Sequence, residues 1–397
     1  MSRVKCPAST TAKRAAENAR SVPPTSSQSS RKRSRRAKLG PAANILGKLA
    51  FVLRGVCVRR QNKWRFRETP YKFTNLKSEI RDPKSETSGP LTFEPIFMER
   101  IWGGRRLEST FGKKLSPKTR IGESWEIVDR ADAQSVVARG PLKGRTLHEL
   151  WIEDRAWIFG EVPDTPRFPL LIKLLDAHET LSLQVHPPEQ LAEKLGGEPK
   201  TEFWYVADAD PGAELLLGFR EPITREQFES ALRAGTAADY VQKINVKPGD
   251  AAFLPAGRLH AVSAGNLLIE VQQNSDTTYR VFDWNRVDGK GRPRELHIDQ
   301  ALQCIDYNDV RPELLQARGE LLLCHDLFET QKWNLCSTRE SAPLGQFAVI
   351  CCLTGQLACA NVDLAPGEFF LVPAQLQDRQ LKPLATQTSL LRMTIPM

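Results

Sequence analysis

The chain has 397 residues, 41% of them apolar, enough to build a substantial core; this excludes a small scaffold that needs disulfides or metal staples to fold. Its formal net charge is +9, but residues 1–90 carry 22 Lys and Arg against 5 Asp and Glu, whereas residues 91–397 carry 34 against 42. The basic excess belongs to the leading segment, and the charge argument for nucleic-acid binding by the mildly acidic remainder disappears with it.

Residues 1–88 form a basic extension whose first forty residues are rich in Ser, Arg, Lys and Ala and poor in apolar content, so the extension is expected to be largely disordered. Such a composition suits a transit segment, a charged tail or a start codon placed too far upstream. Its longest apolar run, "AANILGKLAFVLRGVCV", is broken by Lys48 and Arg54, so no membrane span is expected.

Organised sequence begins near "LTFEPIFMERIWGGRRL", where "WGG" reads as a tight turn with Trp102 packed inward. From there short β-type runs follow one another between Gly, Pro and Asp: "LSLQV", "KTEFWYVAD", "AELLLGF", "AAFLPA", "NLLIEVQQ", "TTYRVFDW", "QFAVICCLTG" and "EFFLVPA". That density predicts a mainly β protein, a sandwich or barrel. A few helices interrupt it: Thr146 with Glu149, and Thr224 with Gln227, stand in capping-box spacing, and Gly235 closes the second. His148 in the first of these reads as a surface or packing residue.

In "LSLQVHPPE" alternation puts Leu181, Leu183 and Val185 on one face and Ser182, Gln184 and His186 on the other. Taken alone, this is an ordinary half-buried strand. "KTEFWYV" likewise puts Lys200, Glu202 and Trp204 on one face, "SDTTYR" puts Asp276, Thr278 and Arg280 on one face, and His260 follows a Pro-Gly turn. Gln184, His186, Glu202 and His260 together offer two imidazoles, a carboxylate and an amide oxygen. Such a set suits Zn²⁺ or a similar divalent ion, one per chain, with a position left for substrate.

"KPGDAAFLPAGRLHA" at 247–261 aligns without gaps to "APGEFFLVPAQLQDR" at 365–379. The same turn–strand–turn unit is therefore expected twice, with Asp378 at the position of His260 and a metal-type site in the first copy only. The domains expected are a catalytic metal-binding unit over 89–325 and a related unit without a metal site over 326–397. The eight cysteines show no CxxC spacing and read as buried free thiols.

"GDAAFLPAGRLH" carries the spacing of the second cupin metal motif, with Ala264 where that motif ends in Asn. Together with "EPIFMERIWGGRRL", "IGESWEI", "FPLLIKLLDAHETLSLQVHPPE", "KTEFWYV", "QQNSDTTYRVFDWNR" and "RELHI", in that order, the chain resembles the short bacterial form of class I mannose-6-phosphate isomerase, a cupin. The resemblance is strong over about 91–300 and weak beyond. It implies a double-stranded β-helix (jelly-roll) barrel with a degenerate second cupin-like domain at the C-terminus, and a Zn²⁺-dependent interconversion of mannose 6-phosphate and fructose 6-phosphate through a cis-enediol. It implies Gln184, His186, Glu202 and His260 as metal ligands, Lys200 as a proton-transfer group, Arg280 as the active-site arginine, Asp276 in ring opening and Ser182 at the substrate phosphate.

Such a reaction ionises a carbon–hydrogen bond, so a cation and Arg280 would stabilise the developing oxygen charge. Lys200, Asp276 and Glu270 on "LLIEVQQ" compete for the role of base, and Arg105 or Arg106 joins Ser182 as a candidate for phosphate. The expected partner is a small sugar phosphate, with no nucleic acid for the globular part and no membrane, in a cytoplasmic protein that is a monomer or homodimer. The alternatives are a non-catalytic metal- or sugar-binding cupin and an isomerase of a related sugar phosphate.

Overall fold

A computed structural model describes residues 89–287 and 291–396. The expectations for residues 1–88 lie outside the described residues.

The first part of the fold runs through β1 (Ile96–Gly104), β2 (Ile121–Ile127), a short hairpin of β3 (Asp129–Arg130) and β4 (Ala133–Gln134), β5 (Leu170–Ala177), β6 (Leu183–Val185) and β7 (Glu202–Ala209). It continues with β8 (Glu214–Phe219), β9 (Val241–Asn245), β10 (Ala251–Leu254), β11 (His260–Val262), β12 (Asn266–Gln273) and β13 (Tyr279–Phe282). These strands form a six-stranded sheet ordered β1-β2-β5-β12-β7-β10 and a five-stranded sheet ordered β13-β6-β11-β8-β9. The capping boxes at Thr146 and Thr224 both form, and Gly235 ends the helix Arg225–Ala234 in the left-handed conformation.

Period-2 alternation places the site. In β5, β7 and β12, Ile172, Leu174, Phe203, Tyr205, Ile269 and Val271 turn outward into a large apolar cluster that also takes in the helix Leu147–Glu153. The alternate residues face the second sheet: Leu175, Trp204 and Leu268 pack there with Leu215, Leu217 and Val262. Lys173, Glu202 and Glu270 share the parity of that inner face. Trp102 also packs there, as expected, but "WGG" ends β1 instead of forming a turn.

The second part comprises β14 (Leu321–His325), β15 (Phe328–Leu335), β16 (Arg339–Glu340), β17 (Ala348–Thr354), β18 (Leu357–Cys359), β19 (Val362–Leu364), β20 (Phe369–Val372), β21 (Gln380–Pro383) and β22 (Thr388–Thr394). Its sheets, β14-β15-β22-β17-β20 and β16-β21-β18-β19, enclose an apolar cluster that includes Trp333, Ile350, Leu357, Phe370 and Leu381. The sequence echo has a structural counterpart. Lys247 N–H donates to Asp250 Oδ2 at 2.9 Å and Ala365 N–H to Glu368 Oε2 at 2.8 Å, each closing a turn that leads into β10 or β20. Asp378 is exposed.

Cys304, Cys351, Cys352 and Cys359 are buried free thiols and Cys324 is an exposed one; Cys336 is not among the free thiols. Among the described residues no helix is long and apolar enough to cross a membrane.

Candidate metal centre and active site

Gln184 lies in the middle of β6, and its Cα is paired with those of His260 on β11 and Arg280 on β13. Three polar side chains thus stand in a row across one sheet. His186 follows β6 directly, where Pro187 and Pro188 stop the strand. The turn before His260 needs Gly257: its φ is +91°, and its N–H donates to the His186 carbonyl at 2.9 Å, tying the two histidine-bearing segments together. Glu202 opens β7 on the opposite sheet and points back at them.

His186, Glu202 and His260 are each 2% exposed or less, and their ligand atoms lie within 4.8 Å of one another. His186 Nε2 is 3.2 Å from Glu202 Oε1, and His260 Nε2 is 3.8 Å from Glu202 Oε2. Backbone carbonyls fix both imidazoles. His186 Nδ1 lies 2.9 Å from Thr277 O, and His260 Nδ1 lies 2.9 Å from Arg258 O. A carbonyl only accepts, so each Nδ1 carries the proton and each Nε2 presents a lone pair to the centre. His186 Nε2 and Glu202 Oε2 have no hydrogen-bond partner, and Glu202 Oε1 is met by the Lys200 ammonium at 2.7 Å. Buried polar atoms without partners are rare and costly, and a divalent cation is the partner this donor set fits.

The electrostatics agree with that reading. Burial, with the neighbouring His186, pushes His260 down to about 3. Burial followed by the Lys200 charge lowers His186. Burial alone would raise Glu202, but Lys200 and then the two histidines outweigh it and hold the carboxyl well below its usual range. The ligands thus stand as neutral imidazoles and a carboxylate, the forms that bind metal.

The other expected residues fall into place unevenly. Lys200, 4% exposed, sets its Nζ 2.7 Å from Glu202 Oε1. Arg280 is half-buried beside Gln184, and its Nε has no partner. Glu270 is buried on β12, raised by burial and by the Glu202 charge, and accepts from Trp204 Nε1 at 3.1 Å. Ser182 is 2% exposed and donates to Gln184 Oε1 at 3.3 Å. Asp276 differs from its expected placement on a strand face. The strand starts only at Tyr279, and Asp276 is exposed in the preceding loop, next to the Thr277 that holds His186. Arg105 and Arg106 are taken up elsewhere, by Glu108 and Asp210.

Sequence reasoning passed over Lys173. Its Nζ is 3.2 Å from Glu270 Oε1 and 3.7 Å from Glu123 Oε2, and Glu123 in turn accepts from Trp125 Nε1 at 2.6 Å and Arg100 Nε at 2.7 Å. Burial would lower Lys173, but Glu270 and Glu123 outweigh it and keep the ammonium charged. The signal was a lone charge inside "LLIKLLDA", a strand buried along its whole length.

Residues 91–217 match the family described as phosphomannose isomerase type I, catalytic domain. The probable mannose-6-phosphate isomerase GmuF of Bacillus subtilis is 38% identical over 299 residues, which cover 72% of this chain and 93% of that protein. The crystal structure of the mannose 6-phosphate isomerase from Bacillus subtilis superposes with a TM-score of 0.69 at 34% identity, covering 77% of this chain and all of that one. A mannose 6-phosphate isomerase solved with zinc and yttrium shares the fold, with a TM-score of 0.62, 16% identity and coverage of 78% of this chain and all of that one.

Proposed function

This chain belongs to the type I phosphomannose isomerases, cupin enzymes, and we propose that it interconverts mannose 6-phosphate and fructose 6-phosphate in a zinc-dependent reaction through a cis-enediol. The observation that carries the metal part is the buried group of His186, Glu202 and His260, whose ligand atoms lie within 4.8 Å of one another, with Gln184 paired beside His260. These four residues hold the ion, and the oxygen-bearing Gln184 in place of a third histidine suits a Lewis-acid role. When bound, a divalent ion supplies stabilisation of the oxygen charge that builds up as a carbon–hydrogen bond ionises.

The chain's own residues do the rest. Arg280, cationic and with Nε unpaired, pairs from β13 with Gln184 and is the candidate to meet the substrate oxygens. Lys200 and Glu270 are the buried candidates for carrying the proton between C2 and C1. Both are engaged, Lys200 by Glu202 and Glu270 by Trp204 and Lys173, so the two stay joint candidates for the base. Asp276, exposed in the loop before β13, remains the candidate for ring opening. Ser182 remains the candidate for substrate phosphate. Every one of these residues precedes 325, which supports 89–325 as the catalytic unit and 326–397 as a unit without metal. A sugar-phosphate substrate and the free thiols of five described cysteines suit a cytoplasmic setting, with Cys336 the exception.

The test is a coupled assay for fructose 6-phosphate on the purified, zinc-loaded chain, with mannose 6-phosphate and with other hexose 6-phosphates. Turnover of mannose 6-phosphate well above the others supports the reading. A zinc-loaded protein that turns over none of them is a non-catalytic cupin, and one that prefers another sugar is an isomerase of that sugar.

A further inference from the structure

We propose that Ser182 is a positioning residue for the metal ligand Gln184: its hydroxyl partners the end of the Gln184 amide turned away from the metal centre and so holds the ligand in place. The proposal rests on the metal-site reading above and concerns a residue that the family resemblance ties to substrate phosphate.

Ser182 lies just before β6, 2% exposed, and its Oγ donates to Gln184 Oε1 at 3.3 Å. The other end of the same amide, Gln184 Nε2, lies 3.2 Å from His260 Nε2. That nitrogen is an acceptor, because His260 Nδ1 already donates to the Arg258 carbonyl at 2.9 Å. The amide therefore turns its N–H toward the histidine and its oxygen toward Ser182.

An amide nitrogen has no lone pair to offer a cation, so Gln184 would ligate through its amide oxygen, with its NH₂ toward Ser182. That NH₂ needs an acceptor. A hydroxyl can donate or accept, so Ser182 partners the amide oxygen in one orientation and the amide NH₂ in the other. Removing the hydroxyl leaves a polar end of the amide without this partner, and it does so in the ligating orientation when the N–H can no longer bond His260. A lost outer-sphere partner of this kind typically weakens metal affinity by about 10–100-fold.

The experiment compares Ser182→Thr with Ser182→Val in the full chain, since the two side chains have nearly the same shape and only Thr keeps the hydroxyl. The zinc dissociation constant is measured by competition with a chromophoric chelator, without turnover, and KM for mannose 6-phosphate is measured at saturating zinc. We expect the Val variant to bind zinc at least about tenfold more weakly than the Thr variant, a difference that a role at the substrate phosphate alone would not produce. Ser182→Ala, which adds no bulk, is expected to follow Val. Equal zinc affinities for Thr and Val, with KM raised only in Val, overturn the proposal and return Ser182 to the phosphate. Wild-type protein that takes up no divalent ion overturns the metal reading itself, and this proposal with it.

Discussion

Lys173 and Glu270 face each other across the directly paired strands β5 and β12, Nζ to Oε1 at 3.2 Å, with both side chains 4% exposed. The pair lies beside the metal ligands and extends through Glu123 to Arg100. Removing one member strands a charge in the core, which costs about 3–5 kcal/mol. Lys173→Met is therefore expected to lower the thermal midpoint sharply. Lys173→Met with Glu270→Gln is expected to lose less than the sum of the single variants, because the second change removes part of the stranded charge. Additive losses in a double-mutant cycle would show that the pair is not coupled.

Arg280→Ala removes a cation from the substrate side of the centre and leaves the four metal-ligand candidates in place. By analogy with loss of a preorganised charge donor, kcat is expected to fall on the order of 10²–10³-fold. Zinc content, read by elemental analysis, stays at the wild-type level. A parallel loss of zinc would make Arg280 part of the metal site instead.

The histidines give the metal-free protein a particular pH profile. His260 is depressed in the fold to about 3 from its ordinary value of 6.5, and burial lowers His186 as well. The unfolded chain therefore binds protons that the fold refuses, and stability falls as pH drops below 6.5. Depressed carboxylates such as Glu123 and Glu202 act in the same direction, but only below their own unfolded value of 4.5. The loss between pH 6.5 and 4.5 thus belongs largely to the histidines. Thermal scans of chelated protein are expected to show a midpoint that declines through this window, with a shallower decline in His260→Gln.

Gly257→Ala tests the turn that delivers His260. At φ +91° an added Cβ is strained, and it would also come within 3.1 Å of Cys304 O. A loss of about 1–2 kcal/mol is expected from the backbone alone. Zinc affinity should fall as well, because the same Gly257 N–H holds the His186 carbonyl.

Deletion of residues 1–88 is expected to leave isomerase activity intact. The family match begins at residue 91, and every site residue named above lies at or beyond Arg100. Loss of catalysis in protein that still folds would give the extension a role in the reaction.

Much of this was legible in the chain because its signals are local. The capping boxes at Thr146 and Thr224, the strand alternation in "NLLIEVQQ" and the Gly-to-His spacing 249–260 each span a dozen residues or fewer. Lys173 was not legible, because its meaning depends on strand order: β5 lies between β2 and β12, whose carboxylates Glu123 and Glu270 are far from it in sequence. Asp276 was misplaced for the converse reason. Extending the alternation of "TTYRVF" backward assumed a strand where Ser275 and Thr277 instead bond their own loop. The contacts of the Gln184 amide with Ser182 and His260 join two separate strands, and no spacing encodes them.

The most direct test of the account is metal removal and return on the full chain, followed by formation of fructose 6-phosphate from mannose 6-phosphate. The account predicts that exhaustive chelation abolishes turnover and that one equivalent of Zn²⁺ per chain restores it. Full turnover in protein shown to be free of metal would contradict it.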